Sequence, residues 1–132
     1  MKICIFGAGA VGGHFAAQLA AAGHEVSVVT RGAHLEAIRK NGLTLLKGER
    51  RVVAQVRAAE RAADLGRPDY VLVTLKASGL GALAEGIGPL LGPDTAVVFA
   101  QNGIPWWYAQ GLAGRRPPPP ELARLDPGGA LA

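Results

Sequence analysis

Chemistry in this chain concentrates at three places, each directly behind a short apolar run. FGAGAVGG sets Gly7, Gly9 and Gly12 in a G-x-G-x-x-G pattern after KICIF, LVTLKAS sets Lys76 after YVLVTL, and AQNG sets Asn102 after TAVVFA. A glycine loop between an apolar strand and a helix can hold a pyrophosphate. Gly7 permits the tight turn, Gly9 carries no side chain where the phosphates approach, and Gly12 allows close helix–strand packing. The N-terminus of the helix that opens at about Val11 adds free backbone N–H groups and about half a positive charge, both favourable to an anion. The stretch Gly7, Ala8, Gly9, Ala10, Val11 and Gly12 is therefore the expected dinucleotide cradle, with a plain glycine turn as the alternative.

The end of the second strand selects the dinucleotide. An Asp or Glu there accepts hydrogen bonds from the ribose hydroxyls of NAD. This chain carries Val29-Thr30-Arg31-Gly32 instead. A guanidinium binds a 2′-phosphate through two parallel charge-assisted hydrogen bonds, whereas a carboxylate repels it. Arg31, with Thr30 as a further hydroxyl, favours NADP(H) over NAD(H); a solvated turn arginine is the plainer alternative.

Particular elements must position these groups. Residues 2–6 read as a strand covered on both faces, and 11–22 as an alanine-rich helix stopped by Gly23. EVSVVT (25–30) is a second strand and 33–40 a second helix, stopped by Asn41-Gly42. Residues 43–57 alternate loosely around Gly48 and predict two short strands joined by a turn. YVLVTL and TAVVFA are buried strands, a glycine-interrupted helix spans 79–91, and a short helix covers 105–112. This alternation predicts an α/β fold of the Rossmann-like, doubly wound kind with a mostly parallel sheet. Ligands of such sheets sit beyond the carboxyl ends of the strands, where Lys76 and Asn102 fall. Residues 1–114 form this expected binding domain. From Arg115 the character changes: RRPPPP suits neither helix nor central strand, so 115–132 reads as a connector. The closing LDPGGALA suggests a piece of a longer chain.

Composition narrows the partners. The 132 residues are 49% hydrophobic and 18% charged, as in one folded domain rather than a disordered chain. A net charge of +4 and a pI of about 9.7 suit a small phosphorylated ligand. The arginines are scattered, with no basic run interleaved with aromatics, which argues against nucleic acid. Cys4 is the only cysteine, so no internal disulfide can form and a reducing, cytoplasmic setting is expected. Its place inside ICIF suits a core residue better than a catalytic thiol. The first apolar run breaks at Gly7, too short for a signal peptide, and none approaches the ~18 residues of a membrane span. His14, His24 and His34 have no metal-ligand spacing with one another or with Cys4, so no metal site is expected. His14, just past the glycine motif, is the histidine placed to approach a ligand.

In this order and spacing, KICIFGAGAVGG, TRG, LVTLKAS and AQNG resemble the ketopantoate reductases (2-dehydropantoate 2-reductases) over nearly the whole chain, Met1 to about Gly129. That family reduces a 2-oxo acid, ketopantoate, to pantoate with NADPH, on the route to pantothenate and coenzyme A. The resemblance implies that residues 7–12 hold the pyrophosphate and Arg31 the 2′-phosphate. It implies that Lys76 lies beside the cofactor and Asn102 near both nicotinamide and substrate. Lys76 and Asn102 are thus the expected catalytic residues, since fixed donors stabilise the charge that grows on a ketone oxygen during hydride attack.

The family's helical C-terminal domain, with its principal proton-donating lysine and a substrate-binding glutamate, is absent from these residues. Cofactor binding without efficient reduction is therefore expected of the chain alone. IPWWYAQ puts Trp106, Trp107 and Tyr108 beside the expected site, a patch that resembles only a subset of the family. It suits helix packing, a pocket for a different 2-oxo acid, or an interface, and apolar surface there makes a homo-oligomer an expected state. Two other functions stay open on the sequence. One is a free-standing NADP(H)-binding or sensing module; the other is the first half of another hydroxyacid or sugar-nucleotide oxidoreductase.

Overall fold

The computed structural model of the protein describes residues 1–109, 124 and 126–131. Its elements run β1 (Lys2–Phe6), α1 (Ala10–Ala21), β2 (Glu25–Val29), α2 (Gly32–Asn41), β3 (Leu43–Lys47), β4 (Arg50–Ala54), β5 (Arg57–Ala59), β6 (Tyr70–Val73), α3 (Leu80–Gly86) and β7 (Ala96–Phe99). Five strands form one sheet in the order β5-β2-β1-β6-β7, every neighbouring pair parallel. The fold is Rossmann-like.

At the centre of the sheet, β1 and β6 are almost continuously apolar because they are covered on both faces, whereas β7 at the edge leaves Val98 exposed. Successive side chains of β1 feed two separate cores. Ile3 and Ile5 pack with Val26, Val28 and the α1 residues Ala16 and Ala17. Cys4 and Phe6 pack with Val29, Val71, Val73 and the α3 residues Leu80 and Leu83. Ile5, Val28, Val71 and Val73 are wholly shut off from solvent, and each such side chain contributes roughly 1.5–3 kcal/mol. The alanines of α1 suit this arrangement, since small side chains let the helix lie close to the sheet.

Strands β3 and β4 form the expected hairpin, antiparallel from Leu43↔Ala54 to Lys47↔Arg50, with Gly48 at φ +59 in its turn. Leu43 and Ala54 of this hairpin join the α1 core. Gly23 ends α1 at φ +85, and the His24 N–H returns to the Leu19 carbonyl at 3.1 Å.

Three expectations change. Within 43–57 the second strand stops at Ala54, and a further strand begins at Arg57, paired through Ser27↔Arg57, Val28↔Ala58 and Val29↔Ala59. Three residues give no periodic signal; pairing with β2 makes them a strand. The helix expected over 79–91 shrinks to Leu80–Gly86, with 3₁₀ turns at Ala77–Gly79 and Gly88–Leu90. Pro89 has no N–H to extend it. The segment expected as a helix over 105–112 is a 3₁₀ turn at Trp106–Ala109; its remainder and most of 115–132 lie outside the described residues. No described helix is long and apolar enough to cross a membrane.

Candidate functional site

Strand β1 lies between β2 and β6, so the chain departs from it in opposite directions and leaves a crevice at its carboxyl end. A groove of about 760 Å³ occupies that position, bounded by the ends of β1, β2 and β5 and by α3. Of the six cradle residues, Gly7, Ala8 and Gly9 line it. Ala10 and Val11 form the first turn of α1, and Gly12 is buried behind that turn. Gly9 caps α1 without any side chain bonded to the free N–H groups.

The three motif glycines are glycine for three different reasons. Gly7 sits at φ +102, and a Cβ there would come within 2.6 Å of Leu75 Cδ2. A Cβ on Gly12 would collide with the Gly7 carbonyl oxygen and Thr74 Oγ1. Gly9 has φ −69 and ψ −162, open to any residue, and a Cβ there would meet nothing within 4 Å. No described atom requires a glycine at position 9; a side chain there would occupy groove space. A dinucleotide pyrophosphate fits this cradle.

At the far end of the groove stand Thr30, Arg31 and His34, with Glu60 and Arg61 following β5. Arg31 is exposed at the start of α2, and its guanidinium has no hydrogen bond or ion pair among the described residues. Other guanidinia in this region are engaged: Arg57 donates to the Asp64 and Leu65 carbonyls, Arg39 to the Ala58 carbonyl, and Arg61 to Asp64. Arg31 is thus the uncommitted cation facing the groove. His34 lines the groove, whereas His14, the histidine expected to approach a ligand, is exposed on α1 and does not.

A second cavity of about 160 Å³ lies beyond the turn Ala77–Gly79 and is lined by Asn102, Phe99, Trp106 and Trp107. Phe99 meets Trp106 edge-on at 4.6 Å, and Trp106 meets Trp107 edge-on at 4.3 Å. Gln101 Nε2 donates to the Leu75 carbonyl at 2.7 Å, tying the segment after β7 to the segment after β6. Lys76 is exposed between Leu75, which lines the groove, and Ala77, which lines the second cavity; it lines neither.

Cys4 is sealed in the core, and burial pushes its thiol up from 9.0 to about 11, opposed by a smaller effect of its hydrogen bond with Ser27. It takes no part in the site. The described residues contain no cluster of three or more His, Cys, Asp or Glu able to hold a metal.

Sequence reasoning missed Thr74, whose hydroxyl donates to the Gly7 carbonyl, and the groove residues Glu60 and Arg61. The usable signal for the latter pair was their place after a strand, and that strand was itself too short to read.

A model of the family described as ketopantoate reductase PanE/ApbA matches residues 3–105. The chain is 53% identical over 135 residues to the 2-dehydropantoate 2-reductase of Mesorhizobium japonicum, covering 99% of this chain and 40% of that protein. A crystal structure from Ralstonia solanacearum MolK2, named as a candidate ketopantoate reductase, is similar with a TM-score of 0.86 at 45% identity, over 98% of this chain and 40% of that one. A D-mandelate dehydrogenase solved with NADH and anilino(oxo)acetate is similar with a TM-score of 0.73 at 31% identity, over 79% of this chain and 34% of that one. The chain thus spans two-fifths or less of the length of these relatives. On a family match running from the first strand to the loop after the last, the chain belongs to the ketopantoate reductase PanE/ApbA family.

Proposed function

We propose that these residues bind NADP(H) for the reduction of a 2-oxo acid, most simply 2-dehydropantoate, in a cytoplasmic enzyme of pantothenate and coenzyme A synthesis. Residues 1–114 are the cofactor-binding unit and 115–132 a proline-rich connector. The observation that carries the reading is Gly9. Its backbone accepts any residue and its Cβ position is empty, so its bareness serves a ligand, on a groove that also holds an uncommitted guanidinium.

When bound, the cofactor supplies a hydride to the carbonyl carbon of the substrate. The chain's own residues hold and orient. The N-terminus of α1 and the bare backbone at Gly9 take the pyrophosphate. Arg31, beside Thr30, takes the 2′-phosphate. Asn102, on the aromatic cavity, donates its amide N–H groups to the oxygen on which charge grows, and it cannot titrate away. Lys76, between the two cavities, adds a cation at the nicotinamide end.

The aromatic cavity favours a second reading of the substrate, an aryl 2-oxo acid. Phe99, Trp106 and Trp107 offer ring faces and edges to a flat apolar group, and the D-mandelate dehydrogenase relative was solved with an aromatic oxoacetate.

Calorimetric titration of the chain with NADPH and NADH tests the cofactor assignment. Tighter binding of NADPH is expected. Equal affinities would remove the 2′-phosphate site, and failure of both to bind would remove the dinucleotide reading. Turnover of 2-dehydropantoate against phenylglyoxylate by a protein of the relatives' full length separates the two substrates.

A further inference from the structure

We propose that Arg61 is a flat platform on which the adenine ring stacks, held in position by Asp64. The inference rests on the groove being a dinucleotide site. With the pyrophosphate at the end of β1 and the ribose phosphate at Arg31 after β2, the next strand outward is β5. Whatever lies beyond the ribose therefore meets the residues that follow β5. These are Glu60, Arg61, Ala62 and Ala63, and all four line the groove.

The guanidinium of Arg61 is paired side-on. Nη2 donates to Asp64 Oδ1 at 3.0 Å and Nε to Oδ2 at 3.4 Å. That pairing fixes the plane of the group and occupies one edge, while the side chain stays 78% exposed. Asp64 is itself in an ordered turn, because Arg57 donates to the Asp64 carbonyl at 3.2 Å and the Leu65 carbonyl at 3.4 Å. A guanidinium held this way presents its face, and guanidinium faces stack on aromatic rings because they are planar and weakly hydrated.

A second phosphate-binding role fits less well. One of the two edges that can grip a phosphate through paired bonds is taken by Asp64, and the carboxylates of Asp64 and of Glu60 on the same wall repel an anion. The methyl groups of Ala62 and Ala63 are small enough for a flat base to lie beside them.

Calorimetric affinities for NADPH and NADH test this on the wild type, Arg61→Ala, Arg61→Lys and Asp64→Ala. Arg61→Ala should weaken both dinucleotides by the same factor, about three- to fivefold. Arg61→Lys should weaken them nearly as much, since it keeps the charge and loses the plane. Asp64→Ala should give part of that loss and add nothing to Arg61→Ala in the double variant. The ultraviolet difference spectrum of stacked adenine should appear in the wild type and vanish in both Arg61 variants.

A loss confined to NADPH would overturn the proposal in favour of a phosphate contact. Full affinity in Arg61→Lys or in Arg61→Ala would also overturn it. If the wild type binds NADPH more tightly than NADH while Arg61→Ala is silent, the platform fails and the dinucleotide reading stands. If the wild type binds neither, both fail.

Discussion

The Thr74 hydroxyl, just past β6, donates to the carbonyl of Gly7, just past β1. The Thr74 N–H also donates to the Phe6 carbonyl at 3.1 Å, so the glycine turn is pinned to the neighbouring strand twice. Space for this arrangement exists because Gly12, one helical turn on, has no side chain. The cradle is held from its core side, which leaves its outer side bare.

Thr74→Val should remove the hydroxyl bond while keeping the shape of the side chain. A loss of about 1–2 kcal/mol is expected, because the partly buried Gly7 carbonyl loses a donor. The midpoint of urea unfolding measures it; an unmoved midpoint would mean the bond carries no weight.

Gly12→Ala and Gly9→Val should separate folding from binding. At Gly12 the new Cβ strikes backbone, and destabilisation of roughly 1–3 kcal/mol follows from overpacking. At Gly9 the helix cap loses a favoured residue while the unfolded chain loses freedom, so stability should stay within about 1 kcal/mol of the wild type. Binding of NADPH and NADH should nevertheless vanish in Gly9→Val. Retained affinity there would count against the pyrophosphate cradle.

Arg31→Ala should weaken NADPH by about 10- to 100-fold and leave NADH nearly unchanged, the loss of two charge-assisted hydrogen bonds. In the wild type the preference for NADPH should narrow as salt is added, because Arg31 is exposed and its field is screened over about 8 Å at physiological ionic strength. Equal losses for both dinucleotides would place the contact elsewhere than the 2′-phosphate.

Cys4 should resist alkylation until the chain unfolds, since its thiol is buried and its ionisation moves up to about 11. The sign of the linked stability follows. Above pH 9.0 the unfolded thiol ionises while the folded one stays neutral until about 11. The contribution is whole below the unfolded value and is lost as pH rises through that window, roughly 2–3 kcal/mol in all. Urea unfolding of wild type and Cys4→Ala should therefore converge between about pH 8 and about pH 11. Parallel curves would contradict the shift.

Much of the frame was legible from residue order. KICIF and YVLVTL are apolar without alternation, which marks strands covered on both faces, and glycines at 7, 23 and 42 stop elements where local backbone demands it. Arg31 was legible as a cation at the groove because it stands two residues past the end of a strand. These are local properties: side-chain type, period and backbone freedom act over a few residues and can be read from them.

The rest depended on contacts between distant parts of the chain. Arg57–Ala59 is a strand because β2 offers it hydrogen-bonding partners some thirty residues away, as in Ser27↔Arg57. Arg61 and His34 enter the groove because strand order sets the end of β5 beside the start of α2. Lys76 lines neither cavity, for the chain turns at Ala77–Gly79. Residue types and their spacing determined that this protein has a glycine loop after its first strand and a cation set after its second. Only the folded sheet decided which other side chains face that loop, because strand neighbours are chosen by long-range pairing and burial, which no local period encodes.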